Sequence, residues 1–162
     1  MDFYQGVVVD YLRADRAIFV NTEYCIQVNP SPNPDTSGPH WYCDAVACDF
    51  RSHTVWLCEI TYSKTLSGLV KRLNEWHQNW PGVCAALNRD SHLPDGWQVR
   101  VWIFVPGEFL VNLGEKLKAI RATGFRPKIT PLEWVQPWRY RSWDHRDGPE
   151  GKPSEIPEEM RA

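Results

Sequence analysis

The sequence lacks long apolar runs and recognisable targeting segments. No stretch of its 162 residues reaches the roughly 18 uninterrupted apolar positions that a membrane-spanning helix requires. The first five residues include no basic residue, so we expect no secretory signal peptide. No internal repeat is present either. These absences argue against membrane proteins and repeat arrays, and they predict a cytoplasmic protein without a membrane partner.

Paired cysteines and a basic charge excess are also missing. The five cysteines form no CxxC and no pair of motifs at zinc spacing, so we predict reduced thiols that mostly fill the core. The net charge of -2 and the pI near 6.2 argue against a basic footprint over the whole domain. A local basic patch remains compatible with this composition.

The apolar content is high enough for a folded core. Hydrophobic residues make up 43% of the chain, and 162 residues suit one domain. Nine tryptophans are many for this length, and composition does not say whether they lie in the core or on a surface. Residues 147–162 are charged, rich in proline and almost free of apolar residues. We therefore predict a single domain over 1–146 and a disordered tail over 147–162.

Apolar periodicity predicts an α/β fold. Helical spacing indicates amphipathic helices over 3–14, 63–80 and 107–124. β-branched and aromatic runs predict strands, and Pro- or Asn-rich segments predict loops over 29–40 and 81–96. The predicted strands cover 17–28, 41–50, 54–61 and 97–105, with a weak edge strand over 128–135. This order predicts a central mixed β-sheet flanked by helices, with an αβββαβ core.

Two acidic residues interrupt neighbouring apolar strands. A tight turn at Arg51-Ser52 would place Asp44 directly opposite Glu59, on a face that we expect the first helix to cover. At about 5 Å and an effective dielectric near 20, two carboxylates repel by roughly 3 kcal/mol. Protonation of one acid or a bound cation would relieve this repulsion. Alternatively, a shift of one residue in the register would send one acid to the other face.

These elements and acids resemble the core of the PD-(D/E)XK restriction-endonuclease-like superfamily. Asp44 and Glu59-Ile60-Thr61 are similar to its D…ExK motif, and "GVVVDYLRADRAIFVNTEY" resembles the first helix and strand of its resolvase-like and small nuclease members. The resemblance covers roughly residues 3 to 105. It implies Mg²⁺ (or Mn²⁺) held by Asp44, Glu59 and the Ile60 carbonyl, and hydrolysis of DNA phosphodiesters by an endonuclease or exonuclease.

The sequence departs from the superfamily pattern at three positions. Thr61 stands at the motif lysine, Gln5 at the glutamate of the first helix, and Cys43 at the proline before the first acid. Lys64 could act as a migrated lysine, or it could be an ordinary solvated surface residue. Gln5 could bind a cation through its amide oxygen, or it could be a buried, satisfied polar group. Glu23 could supply a substitute carboxylate.

Basic residues near the motif could hold a nucleic acid. Lys64, Lys71 and Arg72 lie on or beside the helix after the motif. A second group interleaves basic and aromatic residues, which suits phosphate contact and base stacking but equally suits snorkelling over apolar surface. Its members are Arg126, Lys128, Trp134, Trp138, Arg139, Tyr140, Arg141, Trp143 and Arg146.

Three hypotheses follow from these patterns. The first is a divalent-metal-dependent nuclease acting on DNA. The second is a catalytically inactive module of the same fold that binds nucleic acid or a protein partner. The third is a metal-free scaffold whose exposed tryptophans dock a partner. A homodimer is compatible with each of them.

Overall fold

The computed structural model describes residues 1–30 and 38–140, and it confirms the predicted α/β class. The strands are β1 Ile18–Gln27, β2 His40–Asp49, β3 Thr54–Ile60, β4 Gln98–Val105 and β5 Lys128–Pro131. The helices are α1 Phe3–Ala14, α2 Ser67–Gln78, α3 Trp80–Ser91 and α4 Leu110–Ala122, with short 3₁₀ segments at Gly107–Phe109 and Leu132–Val135. Most of the predicted loop 29–40 and the whole predicted tail 147–162 lie outside the described residues, so the domain boundary at 146 stays a prediction.

The five strands form one mixed sheet whose spatial order equals the chain order. β1, β2 and β3 are antiparallel neighbours, whereas β3, β4 and β5 run parallel. Parallel neighbours need long crossovers, which α2 with α3 and then α4 supply. β5 lies at an edge, as predicted, and its last residue is Pro131, which has no N–H to donate. Within the described residues, no helix is long and apolar enough to cross a bilayer.

The β2–β3 register follows the predicted turn. Asp49 pairs with Thr54, and Ala45 pairs with Cys58. The Asp49 carboxylate holds the turn by accepting hydrogen bonds from the backbone N–H groups of Arg51 at 2.9 Å and Ser52 at 3.3 Å. These bonds explain how a turn without Asn-Gly chemistry forms here. The register predicted from the sequence is therefore confirmed.

The two faces of the sheet carry separate layers. α2, α3 and α4 pack on the face that includes Val46, Leu57 and Ile103. α1 packs on the opposite face, against Ala45, Ala47 and neighbouring aromatic residues. The expectation that α1 covers the face of Val46 and Leu57 was therefore wrong. The physical reason is steric, because the two small alanines of β2 leave room for a helix to approach the strand closely.

The prediction that 81–96 is mostly loop was also wrong. α3 covers Trp80–Ser91 and buries Val83, Ala86 and Leu87 on one stripe. Pro81 lies in the first turn of α3, where a backbone N–H has no acceptor within the helix, so the N–H that proline lacks costs no hydrogen bond. The Pro-Gly pair that predicted the end of one helix in fact lies at the start of the next.

Candidate functional site

Asp44 lies where the regular strand pairing is interrupted. The β1–β2 pairing passes over Glu23 and Asp44, and Glu23 has a left-handed backbone with φ of 53°. The β2–β3 pairs run from Asp49–Thr54 to Ala45–Cys58, one residue short of the predicted Asp44–Glu59 pair. At this point the side chain of Asp44 replaces the backbone pairing between β2 and β3, because its Oδ2 accepts a hydrogen bond from the Ile60 N–H at 2.8 Å.

Gln5 supplies the second partner of Asp44. The amide Nε2 of Gln5 donates to Asp44 Oδ1 at 2.9 Å. The amide oxygen of Gln5 accepts from the Asp2 N–H at 3.0 Å, and the Asp2 carboxylate accepts from the Gln5 N–H at 2.8 Å. This capping box holds the start of α1 and fixes the orientation of the amide. Gln5 therefore presents a donor to Asp44 and not the oxygen that a cation would need.

Glu59 is paired from the opposite layer. Its side chain is 6% exposed and shares the face of Val55 and Leu57, where α2 packs. Arg72 of α2 donates through Nη1 to both carboxylate oxygens of Glu59, at 3.0 and 2.9 Å. The same nitrogen donates to the Tyr42 carbonyl at 2.8 Å. A cation does relieve the charge of Glu59, as expected, but it is a guanidinium of this chain.

Burial leaves both acids with perturbed proton affinities. Burial, followed by the nearby Asp44, raises the pKa of Glu59 to about 8, against the opposing effect of Arg72. Burial also raises the pKa of Asp44, against the opposing hydrogen bond from Ile60. Although the acids have partners from opposite layers, Asp44 still raises the pKa of Glu59 electrostatically. The expected repulsion between them is therefore reduced and not abolished.

The remaining predicted site residues lie on the stretch of chain that follows Glu59. The Thr61 N–H donates to the Phe104 carbonyl, and the Thr61 hydroxyl accepts from the Ser63 N–H. Lys64 is exposed in the segment between β3 and α2, so it precedes the helix that we expected it to begin. Lys71 is exposed on α2, 3.9 Å from Glu75. Lys71 and Lys64 are thus accessible to an anion, whereas Arg72 is engaged with Glu59.

The predicted metal ligands do not fit a cation in this arrangement. Within residues 1–30 and 38–140, no group of three or more His, Cys, Asp or Glu side chains is placed to hold a metal ion. The set that the resemblance implied has two carboxylates and the Ile60 carbonyl. The oxygens of Asp44 and Glu59 already accept hydrogen bonds, so a cation would have to displace Gln5 or Arg72.

An aromatic cavity borders α1 and the segment that follows β3, and sequence reasoning missed it. The rings of Tyr4 and Tyr62 stack with centroids 4.5 Å apart. Tyr4 directly precedes Gln5, and Tyr62 directly follows Thr61. A cavity of about 390 Å³ adjoins this pair, and its lining comprises Tyr4, Tyr62, Pro106, Leu132, Glu133, Gln136, Trp138 and Arg139. The placement of tyrosines beside both motif segments was the available sequence signal.

The comparisons with protein-family models, with curated proteins and with solved structures give no match to this chain. The resemblance to the PD-(D/E)XK superfamily therefore rests on the residues and the order of elements alone.

Proposed function

We propose that this protein is a nucleic-acid-binding module with a nuclease-like arrangement of acids that does not hydrolyse its ligand. The observation that carries the proposal is the contact of Arg72 Nη1 with both oxygens of Glu59. A guanidinium held there neutralises the acid that the superfamily resemblance assigns to the metal. In this proposal the acids are structural, and DNA is the partner.

The energetics favour the guanidinium over an incoming cation. A hard divalent cation needs carboxylate oxygens as ligands, and those of Glu59 are occupied. Breaking a buried ion pair by removing one partner costs about 3–5 kcal/mol. Arg72 is one-third exposed, at 33%, so the lower part of that range applies. A metal would have to offset this loss before contributing any net binding.

Thr61 supports the same conclusion from the side of catalysis. The superfamily resemblance assigns this position to a lysine that stabilises developing negative charge. A threonine hydroxyl carries no charge, and its oxygen already accepts a hydrogen bond from the Ser63 N–H. Loss of one such transition-state contact costs on the order of 10²–10³ in rate. Even with a metal bound, the wild-type site would be slow.

Nucleic-acid binding is supported by exposed basic and aromatic side chains of the described residues. Lys64 and Lys71 are exposed along the segment from β3 to α2. Tyr62 and Trp138 are exposed aromatics, and Arg139 adjoins them in the aromatic cavity. Basic residues beside exposed rings are typical of surfaces that contact phosphates and stack bases.

Binding and cleavage assays with the same labelled DNA test the proposal. We expect wild-type protein to reduce the electrophoretic mobility of single-stranded or duplex DNA in a salt-dependent way. In the presence of Mn²⁺ it should cleave the DNA no more than an Asp44→Asn control does. Cleavage that disappears in the Asp44→Asn and Glu59→Gln variants would refute the inactive assignment. Absence of any DNA binding at low salt would refute the nucleic-acid assignment.

The second candidate is a metal-dependent nuclease, and the electrostatic effect of Asp44 on the nearby Glu59 favours it. A cation that displaced Arg72 would relieve the repulsion between the acids. Bound Mg²⁺ or Mn²⁺ would supply Lewis-acid activation of a phosphate and of water. The residues of the chain would then bind the phosphate, and Lys64 is accessible for that role.

A lysine substitution separates this candidate from the first. If the chain is a nuclease with a migrated lysine, Lys64→Ala should abolish cleavage while metal binding persists, and Lys118→Ala on the exposed side of α4 should not. If the wild type is inactive only because position 61 lacks a charge, Thr61→Lys should produce cleavage. Inactivity of both the wild type and Thr61→Lys with metal bound would remove the nuclease candidate.

A further inference from the structure

We infer that the aromatic cavity takes one unpaired nucleotide, with its base on the exposed aromatic rings and its phosphate at Arg139. This inference rests on the proposed function and names the form of nucleic acid that the site recognises. Neither the superfamily resemblance nor the acidic pair assigns this cavity.

The rings come from three separate parts of the chain. Tyr4 lies in α1, Tyr62 follows β3, and Trp138 follows the 3₁₀ segment Leu132–Val135. Trp138 is 75% exposed and Tyr62 is 49% exposed. An exposed tryptophan on the rim of a cavity leaves a large apolar face in water, and an incoming planar ring would cover it.

Arg139 gives the cavity a charged group with unused hydrogen-bonding capacity. Its Nε is buried, and it has no hydrogen-bond partner among the described residues. A buried donor without a partner carries a desolvation penalty that a bound acceptor would remove. The planar guanidinium matches the geometry of a phosphate and binds it through two parallel N–H bonds.

The polar groups of the lining narrow the ligand class. The Glu133 carboxylate accepts a hydrogen bond from the Gly107 N–H at 2.9 Å, so it has a structural partner. The amide nitrogen of Gln136 donates to the Leu132 carbonyl at 2.9 Å, which leaves its amide oxygen as an acceptor for a base edge. Among the described residues, the lining has three aromatic rings, one cation and one amide, and its single carboxylate has its own partner. This combination suits a heterocycle that carries a phosphate.

Size and nearby charge agree with one nucleotide. The cavity of about 390 Å³ lies near the lower end of the roughly 300–1,000 Å³ that ligand sites occupy. A base inside a duplex is already stacked on its neighbours, so the base that covers these rings has to be unpaired. The nearby positive charge is the guanidinium of Arg139, which lines the same cavity. The volume and this charge therefore favour the same ligand.

Fluorescence anisotropy with a short labelled oligothymidylate tests the inference on the full chain. We expect Trp138→Ala and Tyr62→Ala each to weaken binding by roughly 5- to 100-fold, the range that loss of one base-stacking ring produces. Tyr62→Phe should retain the wild-type affinity, because it keeps the ring. Phe19→Ala is the matched control, since Phe19 is a 66% exposed aromatic that contacts Phe50 at the other end of β3.

Competitors identify the form of the ligand. Unlabelled single strand should displace the probe more effectively than blunt duplex of the same sequence, and Arg139→Ala should reduce binding of thymidine monophosphate as well. If thymidine monophosphate displaces the probe as strongly as the single strand does, the ligand is a free nucleotide. That result would support the cavity as a nucleotide site and overturn the proposed nucleic-acid function. Wild-type binding that both ring variants leave unchanged would overturn the cavity assignment while the proposed function stands. Absence of binding to strand, duplex and monophosphate alike would overturn both.

Discussion

Replacing Arg72 with methionine tests whether this guanidinium is the internal counter-ion of the acidic pair. Methionine keeps a straight apolar side chain and removes the three hydrogen bonds that Nη1 donates to Glu59 and Tyr42. Glu59 remains almost fully buried, with Asp44 nearby and no cation to compensate it. Removing one partner of a buried pair costs about 3–5 kcal/mol.

Two features of the structure reduce this loss. Arg72 is one-third exposed, so water already screens part of the interaction. Glu59 can also escape the penalty by binding a proton, because burial raises its pKa to about 8 even with Arg72 in place. We therefore expect Arg72→Met to lower the free energy of unfolding by about 2–3 kcal/mol at neutral pH.

The pH dependence follows from the same reasoning. Without Arg72 the pKa of Glu59 rises further in the folded state. The folded variant therefore keeps a proton on Glu59 over a pH range in which the unfolded chain has already released it. Stability is lost as the pH rises towards the folded-state pKa. The deficit of Arg72→Met relative to the wild type should accordingly be smaller at mildly acidic pH than at mildly alkaline pH. Urea denaturation at both pH values measures it.

A double-mutant cycle isolates the pair. Arg72→Met, Glu59→Gln and the double variant should give a coupling free energy of about 1–3 kcal/mol. Lys71→Met is the control, because Lys71 is 78% exposed and forms only a 3.9 Å pair, and we expect it to stay within about 0.5 kcal/mol of the wild type. A coupling near zero, or an Arg72→Met variant as stable as the Lys71→Met control at both pH values, would refute the counter-ion role.

Three further predictions concern the acids, α1 and the tail. Because the folded-state pKa of Glu59 is raised from 4.5 to about 8, the free energy of unfolding of the wild type should decrease as the pH rises through that window. Glu59→Gln should make this pH dependence flatter, as measured by urea denaturation at several pH values. Gln5→Glu replaces the donor to Asp44 with a third carboxylate, so thermal melts should show a lower Tm that Mn²⁺ partly restores; a Tm insensitive to Mn²⁺ would count against a latent metal site. Deletion of 147–162 should leave the Tm almost unchanged, since its composition buries little apolar surface, and a drop of many degrees would show that it docks.

Much of the sheet could be predicted because strand patterns are local. Alternation along 41–50 and 54–61 and a turn between them predict the β2–β3 register, since slipping by one residue would reverse every buried side chain. The observed pairing of Ala45 with Cys58 agrees. α3 could not be predicted in the same way, because Pro81 indicates the end of one helix as readily as the start of another.

The acidic pair shows where local reasoning stops. The predicted positions of Asp44 and Glu59 follow from spacing, but burial is the main cause that raises both pKa values, and Asp44 adds only to the rise at Glu59. The packing of α1 against small residues of β2 decides which side of the sheet each helix covers. No pattern within a single segment of the sequence predicts this choice of side. The interrupted pairing at Asp44 likewise depends on Glu23, which lies in another strand.

By itself the sequence determined the α/β class, the order of the strands along the chain and the nearness of two acids, because each depends on short-range periodicity and turn geometry. Only the tertiary structure decided that Arg72 pairs with Glu59, that Gln5 faces Asp44 with its amide nitrogen, and that the rings of Tyr4, Tyr62 and Trp138 border one cavity. These contacts join residues that are remote along the chain. Their selection depends on how the helices pack on the sheet, which is a property of the whole core and not of any one segment.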